Sequence, residues 1–455
     1  MIHLHNSATG QIEELRPAVD GIIKMYVCGP TVYDVPHLGH GRFVLVYDIL
    51  RRYLEYQGHG VIHVSNITDV DDKILARADS ENRQPSQVAG EYEKVWWKVL
   101  DDLNVLRPTH VPHATAYIQE MITFISELIE IGAAYIGGDG VYFEVSRIES
   151  YGLLAHQSLE SMRSGARVEP NPNKRSPIDF ALWKNTPNAE WAWESPFGRG
   201  RPGWHTECVV MAQDLLGSSF DIHGGGADLA FPHHENERAQ ALALGSSFAD
   251  KWVHNGFIVV GDEKMSKSLS NFVSLPELIG EDDPRAFRLL VLQSHYRSPL
   301  EVNSTLIGDA ARALERIDNA LVRFDRHYDA SISHVQADSE ILESFGQAMD
   351  NDMDTPLAIS ILFQGITSMN VSFDNGDLTK AIAIAKAIEI VVRVFGLGVT
   401  RSELVLPDAV VELFLEREGA RQRKDFAASD RLRDRLLELG YGIEDTKEGG
   451  QIRKL

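Results

Sequence analysis

Between residues 22 and 67 the hydrophobic pattern changes period twice. The apolar run Ile22–Cys28 (IIKMYVC) reads as a buried strand and is broken by Gly29-Pro30-Thr31. Phe43, Val46, Ile49, Leu50, Tyr53 and Leu54 then recur at helical spacing over about 39–57, and VIHVSNI at 61–67 returns to a strand. A helix that joins two neighbouring strands in this way carries the chain back to the same end of the sheet, so the strands lie parallel. The segment therefore predicts an α/β architecture with both sheet faces covered.

The alternation then stops and later resumes. Helical patterns cover about 86–104 and 113–135, a glycine-rich hairpin (GGDGVYFEV) follows at 137–145, and 165–204 reads as irregular, with six prolines and four of the seven tryptophans. A loop this long is more often functional than idle. A helix near 204–216, a strand at 219–223, a helix near 232–244 and an apolar run at 252–260 complete the sheet. From about 304 to 400 the pattern is helical, with Pro356 internal, and a last piece follows Pro407. At 455 residues the chain exceeds the roughly 250–300 at which one core stops growing. The expected fold class is α/β: a Rossmann-like parallel sheet at 1–112 and 201–303 split by a connective insertion at 113–200. An α-helical bundle at 304–404 and a small C-terminal α+β module at 405–455 follow.

Composition narrows the function classes. Hydrophobic residues at 44% and charged residues at 24% exclude a disordered chain. Two cysteines cannot build a disulfide framework and point to a reducing cytoplasm. No run approaches the roughly 20 apolar residues of a membrane span, and MIHLHNSATG lacks the features of a targeting segment. The net charge of −22 argues against bulk nucleic-acid binding. The last 45 residues, however, hold ten basic and ten acidic side chains, with Arg417, Arg421, Arg423, Lys424, Arg431, Arg433 and Arg435 clustered. That segment reads equally well as a solvated helix of alternating charge and as a local basic patch.

Three groups of residues can carry chemistry. His37-Leu38-Gly39-His40 falls where the first strand's loop becomes a helix, and imidazoles three apart share a face beside the N–H groups that favour an anion. Gly39 and Gly41 would let a base or ribose approach the backbone. Lys264-Met265-Ser266-Lys267-Ser268 places two ammonium groups three residues apart, suited to a triphosphate. Each piece alone is also what an ordinary surface turn looks like; together they are far more specific. Cys28, Cys208, His233 and Glu237 offer two thiolates, an imidazole and a carboxylate, a donor set that suits tetrahedral zinc. Their spacing does not define a site, and each cysteine reads equally as a small buried hydrophobe. His223-Gly224-Gly225-Gly226 is like a lipase oxyanion loop, but no GxSxG elbow accompanies it, and no GxxxxGK[ST] element supports a P-loop.

HLGH (37–40) and KMSKS (264–268) resemble the signatures of class I aminoacyl-tRNA synthetases. The neighbouring text YVCGPTVYDVPHLGHGR, SNITDVDDKI, GWHTEC, FDIHGGGADLAFPHHENE, KMSKSLSN and KDFAASDRLRD is similar to the cysteinyl-tRNA synthetases, nearly end to end. The resemblance implies zinc ligands at Cys28, Cys208, His233 and Glu237. It implies ATP handling, with Mg²⁺, at His37, Gly39, His40, Lys264 and Lys267, and a substrate pocket including Thr68, Trp204, His223 and Asp228. It implies that the enzyme joins cysteine to its tRNA through an adenylate, with zinc selecting the thiolate, and that it is a cytoplasmic monomer meeting the tRNA anticodon end through the Arg-rich C-terminal module. The sequence departs from the family pattern at His40, often Asn, and at Phe426, often Trp. Rival readings are a cysteine–amino-sugar ligase of mycothiol synthesis, a silent binding paralogue and a zinc hydrolase. The C-terminal module argues against the first, and the intact signatures against the second.

Overall fold

The computed structural model describes residues 1–157, 171–187, 189, 191–260, 263–264, 274–281, 283–327, 334–398, 408–446 and 449–454. The chain divides into two compact units, Met1–Val399 and Thr400–Leu455.

In the first unit β1 (Ile22–Val27), α1 (Leu38–Tyr56) and β2 (Gly60–Val64) form the expected strand–helix–strand unit. After a long interruption come α2 (Trp204–Leu216), β3 (Ser219–Gly226), α3 (Glu235–Ala243) and β4 (Phe248–Asn255). The four strands make an all-parallel sheet in the order β4-β3-β1-β2. Alternate residues of β1 enter different cores: Ile23, Met25 and Val27 join α1 and the bundle, whereas Tyr26 and Cys28 join α2 and the insertion. β4 divides Val253 from Trp252 in the same way. Burial on both faces is why β1 (IIKMYV) reads as a nearly continuous apolar run. β1 leads through α1 to one side of the sheet and β3 through α3 to the other. Right-handed crossovers put the two helices on opposite faces, so the carboxyl ends of β1 and β3 flank the crevice where such sheets bind ligands.

The interruption contains helix Ile118–Glu130 and a four-stranded antiparallel sheet built from Ala134–Gly137, Gly140–Phe143, Phe180–Asn185 and Gly200–Pro202. Two of those strands lie in the stretch 165–204, which reads as irregular from the sequence. The difference has a physical cause. Phe180–Asn185 (FALWKN) neither alternates nor stays apolar to its end, and Pro202 ends an edge strand, where proline costs no ladder bond. Downstream, β5 (Ile258–Val260) pairs with Glu263–Lys264 and with β6 (Leu300–Glu301), and α4 (Pro284–Leu292) precedes the bundle. The bundle comprises Ser304–His327, Ser339–Asp350, Thr355–Asp374 and Leu378–Val394. Pro356 begins its helix: Asp354 caps it by accepting from the Leu357 N–H at 3.0 Å, and proline at the first turn loses no bond. Thr355–Asp374 is also long and apolar enough to cross a membrane, but Ala358, Ile359, Leu362, Ile366 and Met369 are buried in the main core.

The second unit consists of helices Asp408–Gln422 and Phe426–Glu438 and the antiparallel hairpin Tyr441–Thr446/Gly449–Lys454. Val410, Leu413 and Leu436 form its core. Arg417, counted above with the basic cluster, is only 1% exposed and pairs with Glu418 at 2.6 Å, so it leaves the surface patch.

Candidate active site and metal centre

Cys28 is the first residue beyond β1, Cys208 lies in the second turn of α2, and a wider turn at Ala230–His234 runs into α3 so that His233 and Glu237 stay on one face. Three distant segments thus meet at the crevice. The four donor atoms lie within 4.8 Å of one another and all four residues are buried. The Cys28 and Cys208 sulfurs are 3.8 Å apart, Cys28 Sγ is 3.5 Å from Glu237 Oε1, and His233 Nε2 is 3.0 Å from the same oxygen. Burial and the neighbouring Cys208 push the Cys28 thiol well up, while the hydrogen bond from Cys28 draws Cys208 down to about 6. Burial works against ionising Glu237, yet His223 and His233 hold it at about 2. Burial likewise opposes protonating His233, but Glu237 and Cys208 lift it to about 10. A divalent cation can take the place of the protons that such buried thiols and imidazoles otherwise hold. The donor set fits zinc.

Around these four lies a supporting layer. Asn66 Oδ1 accepts from the Gly29 N–H at 2.8 Å, its amide donates to Thr68 Oγ1 at 3.1 Å, and Thr68 donates to Glu207 at 3.2 Å. Thr68 is therefore buried behind the cluster. His223, central in β3, has Nε2 2.8 Å from Glu237 Oε2 and stacks on Trp252 at 4.7 Å. Trp204, 38% exposed, stacks on His233 at 4.0 Å and lines the cleft together with Asp228. Two histidines went unassigned in the sequence. His205 Nδ1 lies 2.8 Å from His233 Nδ1, and His234 falls in a second set, Cys28, His223, His234 and Glu237, whose donor atoms also lie within 4.8 Å. Neither has a signal in the sequence beyond adjacency to a named residue.

The other end of the crevice is the start of α1. His37 accepts from the His40 N–H at 3.3 Å, His40 Nδ1 accepts from the His37 N–H at 3.1 Å, and the rings stack at 3.8 Å. Each imidazole thus caps the helix for the other. A cleft of about 400 Å³ joins the two ends, lined by Cys28, Trp204 and Asp228 on one side and by His37, Gly39 and His40 on the other. That volume is within the range of small-molecule sites. Lys73, named in no sequence assignment, also lines it. Gly41 does not: a Cβ there would come within 2.7 Å of Leu275 and 2.8 Å of Phe287, so its role is packing. Gly224 of the HGGG run is likewise a packing residue, since a Cβ would lie 2.4 Å from the Tyr47 ring. The Tyr47 hydroxyl accepts from the Gly225 N–H at 2.6 Å and donates to the Val253 carbonyl at 2.7 Å. Lys264 sits opposite Val259 in the short pairing with β5, whereas Lys267 lies outside the described residues.

Comparison with known proteins gives one answer along the whole chain. The tRNA synthetases class I (C) catalytic domain matches residues 14–312, a DALR domain matches 344–400, and the cysteinyl-tRNA ligase anticodon binding domain matches 405–453. A cysteine–tRNA ligase of Halorhodospira halophila is 43% identical over 465 residues, covering 100% of both chains. One of Thermococcus gammatolerans is 42% identical over 98% of each. Among solved structures, Mycobacterium tuberculosis methionyl-tRNA synthetase in complex with methionyl-adenylate superposes with a TM-score of 0.63, at 12% identity, over 90% of this chain and 96% of that one. At that identity the likeness is one of fold. With the catalytic and anticodon-binding domains both matched and full-length identity above 40%, the chain belongs to the cysteine–tRNA ligase family of class I aminoacyl-tRNA synthetases.

Proposed function

We propose that the protein activates cysteine with ATP and transfers it to tRNA. The observation that carries this reading is the joining of two sites by one cleft: a buried Cys/Cys/His/Glu cluster at one end and a helix N-terminus bearing two histidines at the other. A cysteine carboxylate oxygen attacks the α-phosphorus of ATP, the bond to pyrophosphate breaks, and cysteinyl-adenylate forms. A ribose hydroxyl of the tRNA 3′ end then attacks the adenylate carbonyl and AMP leaves. Side chains do little covalent work, so positioning and electrostatics supply the acceleration. His37, Gly39 and His40 receive the nucleotide at the positive end of α1, with Lys264 and Lys267 assigned to the phosphates and Mg²⁺ accompanying them. Cys28, Cys208, His233 and Glu237 would hold zinc, which when bound favours a soft, readily ionised thiolate over a hydroxyl. Trp204 and Asp228 orient the amino acid at the cleft wall, while His223 holds Glu237 from behind and Thr68 steadies Asn66 and Glu207 beside the cluster. A site that requires a particular polar atom discriminates by about 10⁴–10⁵, enough to reject serine without editing.

In the second unit, Arg423, Lys424, Arg431 and Arg435 are exposed, and so is Phe426, at 64%. Exposed cations and an exposed aromatic ring in one small module suit a single-stranded loop of RNA, and this supports contact with the tRNA anticodon end. The amino-sugar alternative leaves that module without a role. A monomer working in a reducing cytoplasm completes the reading; two unpaired buried cysteines fit that compartment. The test is charging of tRNA with labelled cysteine by the purified protein. Cysteine-specific charging supports the proposal, and adenylate formation without charging of any tRNA contradicts it.

A further inference from the structure

Arg42 is 1% exposed and makes no ion pair among the described residues. It lies two residues beyond His40 in α1, and its guanidinium instead spans four backbone carbonyls. Nη1 donates to Phe257 at 2.7 Å, and Nη2 donates to Tyr296 at 3.1 Å, to His295 at 3.3 Å and to Ser298. The His37–His40 turn of α1 forms one wall of the cleft, and Gly256, Phe257 and Ile258 form another; Arg42 itself does not line it. The 295–298 turn is in close contact with the second wall, since a Cβ on Gly256 would fall 2.5 Å from the Ser298 carbonyl oxygen. That turn is fixed in its own right: Tyr296 donates to Asp352 at 2.6 Å and Arg297 at 2.8 Å.

Three of the four carbonyls do not need Arg42 for satisfaction. Phe257 also accepts from the Leu300 N–H at 2.9 Å, Tyr296 from Gly256 at 2.8 Å and His295 from Ser298 at 3.0 Å. A buried cation without a carboxylate adds no obvious stability, because its desolvation is repaid only by carbonyl dipoles. What its removal takes away is the tie between α1 and the opposite wall. Arginine suits that tie because its rigid fork of donors reaches several acceptors at once, which a lysine ammonium cannot do from one point. We infer that Arg42 is a positioning residue for adenylate formation, holding the two walls at the nucleotide end of the cleft in register. The inference rests on the proposed reading of that end as the ATP site. Misplacing reacting atoms by about 1 Å costs on the order of 10²-fold in rate.

The test compares Arg42→Met and Arg42→Lys with the wild type in pyrophosphate exchange, with melting temperature and bound metal measured on the same preparations. Arg42→Met is expected to fold with unchanged metal content, to raise KM for ATP about tenfold and to lower kcat about 100-fold, while KM for cysteine stays within twofold. Arg42→Lys should fall between the two. Were Arg42→Met to retain kcat and KM for ATP within threefold, the inference is overturned. It is also overturned if both substrates' KM values rise together with loss of metal, which marks a general structural role. If Arg42→Met does not fold, Arg42→Lys decides by the same ATP-against-cysteine comparison. Absence of exchange by the wild type, in contrast, overturns the ATP reading itself and this inference with it.

Discussion

Cys28 and Cys208 are separated by 180 positions in the chain, yet their sulfurs stand 3.8 Å apart. Nothing in that spacing marks a metal site. Only the placement of one cysteine after β1 and the other in α2, both at the carboxyl end of the sheet, brings them together, so the grouping of Cys28, Cys208, His233 and Glu237 was legible through family resemblance and not through local pattern. His205 and His234 were not legible even so, because a histidine is given its role by a partner that the sequence does not reveal. Replacing Cys208 by Ser removes one of the two sulfur donors and leaves Cys28, His233 and Glu237 buried around a hydroxyl. The expected result is loss of bound zinc and of cysteine activation together, read by metal analysis and pyrophosphate exchange. A folded, metal-free Cys208→Ser protein with normal exchange removes the proposed role of the cluster.

α1 organises the first unit as an element. Its first turn carries the signature histidines, Tyr47 packs on Gly224, and Asp48 meets Arg288 of α4 at 2.6 Å with both side chains at 1% exposure or less. Arg288 also donates to the Leu103 carbonyl at 2.8 Å and to Phe395 at 3.0 Å, so one buried pair joins α1, α4 and the end of the bundle. Burial opposes ionisation of Asp48, but Arg288 and Arg52 hold its carboxyl below the usual range. Asp48→Asn would strand a guanidinium, a loss of about 3–5 kcal/mol for a broken buried pair, measurable by urea unfolding. A change below about 1 kcal/mol would mean that the carbonyls alone satisfy Arg288. Elements of this kind were readable wherever the period was long or switched cleanly, as in β1, α1 and β2. The strand Phe180–Asn185 (FALWKN) was not, because it neither alternates nor stays apolar and stands between prolines, and Gly224 of β3 has its reason in the Tyr47 ring packed against it, a partner far away in the sequence.

The whole molecule carries −22 at neutral pH, which repels a polyanion from most of its surface. The C-terminal segment is neutral, and which of its basic residues face solvent was not legible: Arg417 is buried, whereas Arg423, Lys424 and Arg431 are exposed. Replacing Arg423, Lys424 and Arg431 with Ala should weaken tRNA binding, flatten its salt dependence by up to about two to three in log–log slope, and spare adenylate formation. Filter binding across a salt series together with exchange measures both, and equal losses in the two assays would place these cations elsewhere in the mechanism.

In the proposed reaction the buried cluster selects cysteine by its thiol. This selection is tested most directly by pyrophosphate exchange with cysteine and with serine, on protein as purified, after metal removal and after zinc is restored. The account predicts exchange with cysteine and not serine, lost on metal removal and regained with zinc. Cysteine-specific exchange that survives complete metal removal would contradict it.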